Sequence, residues 1–402
     1  MTSHPHAPAV HQVLATLGYG DAIGHEVLGI QRVLRGAGYV SDIFVETADR
    51  RLEPLTRDYR ELIDSSDPDQ LLLHHFSIGS KASRTAYALP DRMALVYHNI
   101  TPASYFAGVH DSLARQCFRG RRELSAYIDR CDFALGDSEF NRQDLDHLGF
   151  PRTEVLPVVP DFSNLDRPPD RFVAQQFDDD WINILFVGRV IANKKIEDVI
   201  RSFYAYHTRL NPRSRLIIVG VFSLFERYLA SLNQLVAELG LTHVHFTGHV
   251  SDEELVAYYD VADLFLCASE HEGFCVPIVE AFYKEVPVLA YAATAVPDTM
   301  DGAGVLYDTK DHLYVAALMD AIVSHVGLRA AIVASQTQAV ERLRRKDFAG
   351  TLLGLVDKIL RSPRASAPSV AYDFWHQFDA AETLEALRQL RPSVYKALPP
   401  HP

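Results

Sequence analysis

The stretch Leu264-Phe265-Leu266-Cys267-Ala268-Ser269-Glu270-His271-Glu272-Gly273-Phe274-Cys275-Val276-Pro277-Ile278-Val279-Glu280 decides the fold of the second half of the chain. An apolar run typical of a buried β-strand leads through a glycine-containing loop into a helix, whose predicted first residue is Pro277. The amino end of such a helix carries unpaired N–H groups and the positive end of the helix dipole, so it favours a phosphate. Glu272 in the loop and Glu280 in the helix can accept hydrogen bonds from hydroxyl groups of the same ligand. The stretch predicts an α/β unit that binds a ligand with both phosphate and hydroxyl groups.

The composition is that of a globular protein with more than one domain. The chain has 402 residues, of which 48% are hydrophobic and 23% charged, and this length predicts two or three domains. A net charge of −13 argues against nucleic acid as a partner, because phosphate backbones select basic surfaces. The sequence contains no apolar run of the ~20 residues that span a bilayer, and its polar start is not typical of a signal peptide. We therefore expect a cytoplasmic protein.

The four cysteines show no paired CxxC spacing, and we interpret them as reduced packing residues without a metal or disulfide role. They are Cys117, Cys131, Cys267 and Cys275.

The first half of the chain begins with a strand, a glycine loop and a helical pattern. The apolar run Val10 to Leu17 precedes a loop with Gly20 and Gly24, and Tyr39 to Val45 completes a βαβ pattern. Gly20 allows the backbone to approach a ligand closely. Glu46 at the end of the second strand leaves a nicotinamide cofactor as an alternative, although the glycine spacing GxGxxxG differs from the dinucleotide fingerprint.

Histidine follows two of the later strands in this half. His74 and His98 lie where the apolar runs Leu71 to Leu73 and Met93 to Tyr97 end, which is where parallel α/β sheets bind ligands. Either histidine alone is as readily a capping or surface residue. The polar turn Asn99 to Pro102 beside His98 favours a functional role for His98.

One basic cluster stands out in this acidic chain. It carries two interpretations: a solvated helix face, or a contact with an acceptor phosphate or an anionic membrane surface. Its cationic residues are Arg115, Arg119, Arg121 and Arg122.

A proline- and aspartate-rich segment near residues 160–170 indicates a linker, after which a second α/β unit begins. Its first strand runs through Gly188 into a loop with Arg189, Lys194 and Lys195. Because these cations follow a strand end, we predict that they neutralise a diphosphate. A solvated loop is the alternative. The helix after this loop is predicted to begin near Ile196, and a later segment, Ser251 to Glu254, has the spacing of a capping box.

The segment Arg361 to Ser369 is polar and interrupted by proline, which separates the final helical pattern Asp379 to Leu390 from the second unit. We expect this helix to cross back onto the first domain. The predicted domains are residues 1–162 joined by 370–402, and residues 163–369.

These motifs resemble the retaining glycosyltransferases with the GT-B fold, the group-one or family-four type. Glu272 and Glu280 resemble their Glu-x7-Glu signature, and the Gly188 to Asp198 segment resembles their diphosphate loop. The segment from Phe246 to Val250 is similar to a loop whose backbone contacts the nucleotide base. The segments around Gly20 and His98 resemble a bacterial subset that acts in surface-polysaccharide or glycoconjugate assembly.

The resemblance implies two Rossmann-like α/β domains that face each other across a cleft. The second would bind a nucleotide-diphosphate sugar, and the first a saccharide or lipid-linked acceptor. It assigns the leaving diphosphate to Arg189, Lys194 and, less directly, Lys195, and it assigns the nucleotide base to Val250.

The remaining roles that the resemblance implies concern the ribose and the sugar. Glu280 would bind the ribose, Glu272 the donor sugar, and His98 the transferred sugar, with Gly20 allowing close approach. Backbone N–H groups would hold the sugar or phosphate at Gly273, Phe274 and Cys275.

Fixed cations at a leaving diphosphate lower the barrier to breaking the glycosyl–phosphate bond. The sequence contains no convincing protein nucleophile, so we predict front-face transfer with retention. We expect no cofactor and no metal, since the acidic runs Asp67 to Asp69 and Asp178 to Asp180 precede strands. A sugar-nucleotide epimerase, a phosphorylase and a non-catalytic sugar-nucleotide-binding protein are the alternatives.

Overall fold

The computed structural model describes residues 9–20, 22–158, 160–365, 388–390 and 392–397. They form two compact units. The first contains the residues up to 158 and those from 347 onward, and the second contains residues 160–346. The chain therefore leaves the first unit once and returns to it once.

The first unit contains a seven-stranded parallel sheet, with strand order β3-β2-β1-β4-β5-β6-β7. Its strands are β1 (Val10–Leu17), β2 (Ile43–Ala48), β3 (Thr56–Asp58), β4 (Leu71–Phe76), β5 (Arg92–Tyr97), β6 (Phe133–Gly136) and β7 (Thr153–Val155). β4 and β5 are buried along their whole length, as parallel strands covered on both faces should be. The predicted strand from Val10 to Leu17 is confirmed residue for residue.

The helices of the first unit connect these strands. They are α1 (Ala22–Gly36), α2 (Leu62–Ser65), α3 (Lys81–Ala88), α4 (Asp111–Ala126) and α5 (Glu139–Leu148). Ser138 caps α5, because its side chain accepts the N–H of Asn141.

A further helix, α14 (Phe348–Arg361), belongs to the first unit although it follows the second in sequence. Leu352, Val356 and Ile359 on this helix are fully buried with Val10 and other sheet residues. The chain thus returns at residues 346–347, and the predicted second boundary at residue 369 must be moved accordingly. The physical reason is the apolar stripe of α14, which the second unit does not cover.

The second unit contains a six-stranded parallel sheet, with strand order β10-β9-β8-β11-β12-β13. Its strands are β8 (Ile182–Val187), β9 (Ser214–Val219), β10 (Val244–Gly248), β11 (Leu264–Cys267), β12 (Val288–Tyr291) and β13 (Val305–Tyr307). The central strands β8 and β11 pair through Leu264 with Ile184 and Phe265 with Leu185. Their carboxyl ends therefore lie side by side at one edge of the sheet.

The helices of the second unit precede, connect and follow these strands. They are α6 (Arg171–Phe177), α7 (Ile196–Arg209), α8 (Glu226–Glu238), α9 (Asp252–Asp260), α10 (Val276–Tyr283), α11 (Val296–Met300), α12 (His312–Ser324) and α13 (Val326–Arg344). The predicted start of α7 at Ile196 is confirmed, as is the capping box from Ser251 to Glu254 at α9. α10 begins at Val276 with Cys275 as its N-cap. Pro277 is therefore the second residue of this helix, and the prediction that it is the first was wrong.

One more helix, α15 (Pro392–Lys396), lies near the end of the chain. Most of the predicted helix from Asp379 to Leu390 lies outside the described residues, which include only 388–390 of it. The observed return of the chain to the first unit is made by α14. In the described part of the chain, no single helix is long and apolar enough to cross a membrane. Only α12 and α13 taken together, with a bend of 92° between them, have the length and apolar composition of a membrane span among the described residues.

Candidate functional site

In the second unit the loops after β8 and β11 meet through a buried ion pair. Lys194 Nζ lies 2.5 Å and 2.6 Å from the two carboxylate oxygens of Glu272. The two side chains are 17% and 7% exposed. Burial disfavours the Lys194 ammonium, but the contact with Glu272 outweighs it, and the pKa of Lys194 is raised. Two residues that were predicted to act on different parts of a ligand thus form an ion pair with each other.

The loop that carries Glu272 is fixed from both sides. Asn193 accepts the N–H of Glu270 and donates its amide to the carbonyl of His271, both at 2.9 Å. The N–H of Glu272 donates to Thr294 Oγ1, also at 2.9 Å. Since neighbouring loops supply these bonds, the carboxylate of Glu272 is positioned before any ligand arrives.

Lys195 lies at the same sheet edge, in a second group of charges. It adopts a left-handed backbone with φ of 53° as the N-cap of α7. Its Nζ lies 3.4 Å from Glu197 and 3.6 Å from Glu270. Lys310 was not predicted from the sequence. Its Nζ lies closer to Glu270, with 2.7 Å to Oε1, and lies 2.8 Å from Asp198 Oδ2.

Lys310 therefore neutralises two carboxylates of this edge and leaves Lys195 with longer contacts. It follows the last strand, β13, far in sequence from both partners. Its only sequence signal is a lysine shortly after a predicted strand end, which is the rule that pointed to Lys194 and Lys195.

Arg189 is exposed at the start of the loop after β8. Its guanidinium lies 5.7 Å from the centre of the Phe225 ring, which is a cation–π distance. The planar guanidinium is a group suited to phosphate. The backbone after β8 and the backbone after β9 approach closely here, because a Cβ on Gly220 would lie 1.8 Å from the carbonyl oxygen of Gly188. The strand ends of β8 and β9 thus require glycine at Gly220.

Glu280 lies one turn into α10, partly buried. Tyr259 donates its hydroxyl to Glu280 Oε2 at 2.9 Å. Burial raises the pKa of Glu280 to about 7, against the smaller opposite effect of the Tyr259 hydrogen bond. A hydroxyl-bearing ligand that donates to this carboxylate would favour its ionised form.

The predicted donor-binding backbone lies between these two glutamates. Gly273, Phe274 and Cys275 are all partly buried, and Thr299 donates its hydroxyl to the carbonyl of Phe274. Cys275 has a left-handed backbone with φ of 73°, which turns the chain into α10. Val250, predicted to lie near the base, packs partly buried against the core of the unit.

In the first unit, His98 lies in a buried hydrogen-bonded chain. Gln12 Nε2 donates to the carbonyl of Val27 at 3.1 Å, so Gln12 Oε1 is the atom that accepts from His75 Nε2 at 2.9 Å. Burial lowers the pKa of His75 well below its usual value, which keeps that ring neutral. Its Nδ1 therefore accepts from His98 Nε2, at 2.9 Å. The chain fixes a proton on His98 Nε2.

The other ring nitrogen of His98 faces two carboxylates. Its Nδ1 lies 3.7 Å from Glu26 Oε2 and 3.6 Å from Asp137 Oδ2. Burial, partly offset by His98, raises the pKa of Glu26 to about 7, and burial also raises the pKa of Asp137. Asn141 donates to Asp137 and accepts from Asn99.

The His98 side chain is 2% exposed, and both of its ring nitrogens face groups of its own unit. A contact with a transferred sugar therefore stays a prediction, and it requires this imidazole to open toward solvent. The sequence placed His98 at a strand end, but its partners come from β1, β4, α1 and the end of β6.

The two remaining predicted sites of the first unit differ in environment. Gly20 is exposed with φ of 74° and open space around the position of a Cβ, which fits the predicted close approach of a ligand. In the basic cluster on α4, Arg121 pairs with Asp144 and donates to Tyr97 Oη at 2.6 Å. Arg115 and Arg122 are exposed and Arg119 is partly buried.

The second unit matches a family model along most of its length. Residues 166–337 match the model described as glycosyl transferases group 1. The second unit is a group 1 glycosyltransferase domain. The matched region contains all the residues discussed above from Arg189 to Lys310, so the site described at its sheet edge belongs to that domain.

Two curated relatives of the chain are mannosyltransferases by name. The chain is 26% identical over 211 residues to the O-antigen chain mannosyltransferase B of Escherichia coli, covering 51% of this chain and 53% of that protein. It is 34% identical over 138 residues to the GDP-mannose:cellobiosyl-diphosphopolyprenol alpha-mannosyltransferase of Xanthomonas campestris, covering 33% of this chain and 35% of the relative. The chain thus spans about half or less of the curated relatives it matches.

Solved structures extend the likeness beyond the group 1 domain. The Anabaena protein HepE in complex with UDP-glucose has a TM-score of 0.69 at 15% identity, covering 87% of this chain and 99% of that one. Sucrose-phosphate synthase from Thermosynechococcus elongatus has a TM-score of 0.66 at 17% identity, covering 88% and 99%. The chain has the two-domain GT-B fold of these glycosyltransferases, as the resemblance implied.

Proposed function

We propose that the protein is a retaining glycosyltransferase that moves a hexose from a nucleotide-diphosphate donor to a hydroxyl of a saccharide or lipid-linked acceptor. The observation that carries the proposal is the pairing of Lys194 with Glu272 beside the amino end of α10, within a group 1 domain. This arrangement brings a fixed cation, an oriented carboxylate and the positive end of the α10 dipole to one sheet edge.

The proposed donor is held by groups of different chemistry. Arg189, Lys194 and Lys195 take the diphosphate charge, while Glu280 accepts from the ribose hydroxyls. Glu272 accepts from the sugar hydroxyls when Lys194 turns toward the phosphate. The ion pair thus keeps both side chains buried and oriented until the donor binds. The diphosphate then takes the place of Glu272 beside Lys194, and the sugar hydroxyls take the place of Lys194 beside Glu272.

In the proposed reaction, the bond from the sugar C1 to the phosphate oxygen breaks, and its electron pair leaves with the nucleoside diphosphate. A new bond forms between C1 and the acceptor oxygen on the same face of the sugar, and the acceptor proton passes to the leaving phosphate oxygen. The cations act most strongly on the charge that develops at the leaving group. The proposal requires neither a cofactor nor a divalent metal.

We propose mannose as the sugar and GDP-mannose as the first donor to test, because two of the relatives are mannosyltransferases by name. The name of the second also supports a lipid-linked acceptor. Such an acceptor would bring the protein to the cytoplasmic face of a membrane. The exposed Arg115 and Arg122 of α4 are the proposed contact with its anionic surface, and binding to vesicles with and without anionic lipid tests that contact.

The decisive experiment measures release of nucleoside diphosphate from GDP-mannose, UDP-glucose and ADP-glucose, with and without saccharide acceptors, in the presence of EDTA. We expect acceptor-dependent release that EDTA does not abolish, and an α-linked product from an α-linked donor by NMR. Arg189→Ala should lower kcat by ~10² or more if its charge acts in the transition state. Arg345→Ala, at an exposed surface pair with Glu341, is the matched control.

Other outcomes favour other functions. Binding without release indicates a non-catalytic sugar-nucleotide-binding protein, and release without acceptor indicates hydrolysis or epimerase-type chemistry. A β-linked product contradicts retention.

A further inference from the structure

Two of the four cysteines meet at the loop that the proposed function assigns to the donor. Cys267 is the last residue of β11 and is 1% exposed, whereas Cys275 is the partly buried N-cap of α10. Their sulfur atoms and a carboxylate oxygen of Glu272 all lie within 4.8 Å of one another. Both cysteines are reduced in the structure.

The two thiols affect each other's pKa. The contact with Cys275 lowers the pKa of Cys267, and the contact with Cys267 raises the pKa of Cys275, so their environment favours a thiolate on Cys267. As a thiol, Cys267 donates to Ser269 Oγ at 3.4 Å. By contrast, burial raises the pKa of Cys117 and of Cys131 in the first unit to about 12. The thiolate is the form of cysteine that reacts with oxidants. Cys267 is therefore more open to oxidation than Cys117 or Cys131.

We propose that Cys267 and Cys275 are a dithiol site that peroxide-class oxidants convert into a reversible intramolecular disulfide. One thiolate attacks a peroxide oxygen and becomes a sulfenic acid as water leaves. The other thiol then attacks that sulfur, the S–S bond forms, and a second water leaves. Two thiols and one hydrogen peroxide thus give one disulfide and two waters. A dithiol reductant reverses the step.

The bond would cross the donor loop. A disulfide requires an S–S distance of about 2.05 Å, so the sulfurs must close from their present contact, and residues 268–274 become the interior of a covalent ring. Glu272 lies on that ring, and Cys275 sets the entry into α10. Closing the ring strains the loop that positions the Glu272 carboxylate against Lys194 and changes the entry of the chain into α10. Weaker donor binding in the oxidised protein follows from this step, which rests on the proposed function.

The test uses the full chain, treated with hydrogen peroxide in the presence of EDTA so that no thiol-bound cation interferes. Free thiols are counted, and the cross-linked peptide is sought by mass spectrometry. We expect the count to fall from four to two, with Cys267 joined to Cys275, and to recover with dithiothreitol. Cys117→Ser should lose the same pair, whereas Cys267→Ser and, if it folds poorly, Cys267→Ala should lose none. Four remaining thiols, or another pairing, would overturn the site.

The link to the donor is measured separately, as the ratio of GDP binding by the oxidised and the reduced form of each variant. We expect about a tenfold loss on oxidation, equivalent to about 1.4 kcal/mol, and no change in Cys267→Ser. A disulfide that leaves GDP binding unchanged contradicts the coupling to the donor loop. Failure of the proposed function itself looks different, because the reduced protein would then neither bind nor turn over any sugar nucleotide while the thiol count still changed.

Discussion

Replacing Lys194 with methionine tests whether the ion pair at the sheet edge stabilises the ligand-free protein. Methionine retains much of the apolar stem but removes the ammonium that contacts both oxygens of Glu272 at 2.5 Å and 2.6 Å. The Glu272 side chain is only 7% exposed. Its carboxylate would be left in a buried position without its cation.

The expected size of the effect follows from this burial. Removing one partner of a buried ion pair costs about 3–5 kcal/mol, because the remaining charge is uncompensated. Lys194→Met should lie at the lower end, since the lysine side chain retains 17% exposure and water can partly replace it. The double variant Lys194→Met/Glu272→Gln should recover most of the loss, giving a coupling of roughly 2 kcal/mol.

Urea unfolding followed by tryptophan fluorescence measures these values. In a Trp375→Phe background, Trp181 at the start of β8 is the remaining tryptophan and reports on the second unit. With an m-value of about 3 kcal/mol/M, Lys194→Met should lower the urea midpoint by about 1 M.

The matched control is Lys284→Met. Lys284 is 16% exposed and lies 2.6 Å from Asp260, but that carboxylate is 37% exposed. A partner that water can reach should reduce the cost of the substitution to about 1 kcal/mol or less. Equal midpoint shifts for the two variants would refute the argument from burial.

Three further predictions concern single groups. Burial raises the pKa of Glu280 to about 7. A proposed ribose contact would accept hydrogen bonds more strongly as the ionised carboxylate, so the donor KM should fall from about pH 6 to about pH 8. Glu280→Gln should remove this dependence, and a flat wild-type profile contradicts it. The pKa of Glu26 is raised from 4.5 to about 7, so the folded protein binds the extra proton in that window and its stability should fall as pH rises through it, by up to ~1.4 kcal/mol per pH unit. Glu26→Gln should flatten that slope in urea midpoints, and parallel curves would argue against it. Leu352→Ala should destabilise the first unit by about 2–5 kcal/mol, measured by circular dichroism, whereas a loss below 1 kcal/mol would mean that α14 does not belong to its core.

The sequence predicted the elements whose signals are local. The apolar run from Val10 to Leu17, the helix start at Ile196 and the capping box at Ser251 each depend on neighbouring residues, and the structure has all three. The group 1 assignment also followed from short motifs around Glu272 and Lys194.

The sequence did not predict features that depend on distant contacts. α14 belongs to the first unit because Leu352 and Val356 pack against the sheet of that unit. Helical periodicity in the sequence predicts the apolar stripe of this helix but not the sheet against which the stripe packs. The burial of His98 depends on Gln12, His75, Glu26 and Asp137, which come from four separate elements. Lys310 lies more than a hundred residues from Asp198, so no spacing rule connects them.

The return of the chain through α14 has a consequence for synthesis on the ribosome. The residues of the second unit are complete at residue 346, whereas the core of the first unit still lacks Leu352, Leu355, Val356 and Ile359. Because chains emerge from the amino end and domains fold as units, the inserted unit can finish folding while the apolar surface that receives α14 is still uncovered. The half of the protein that is made first is therefore the half that completes its fold last.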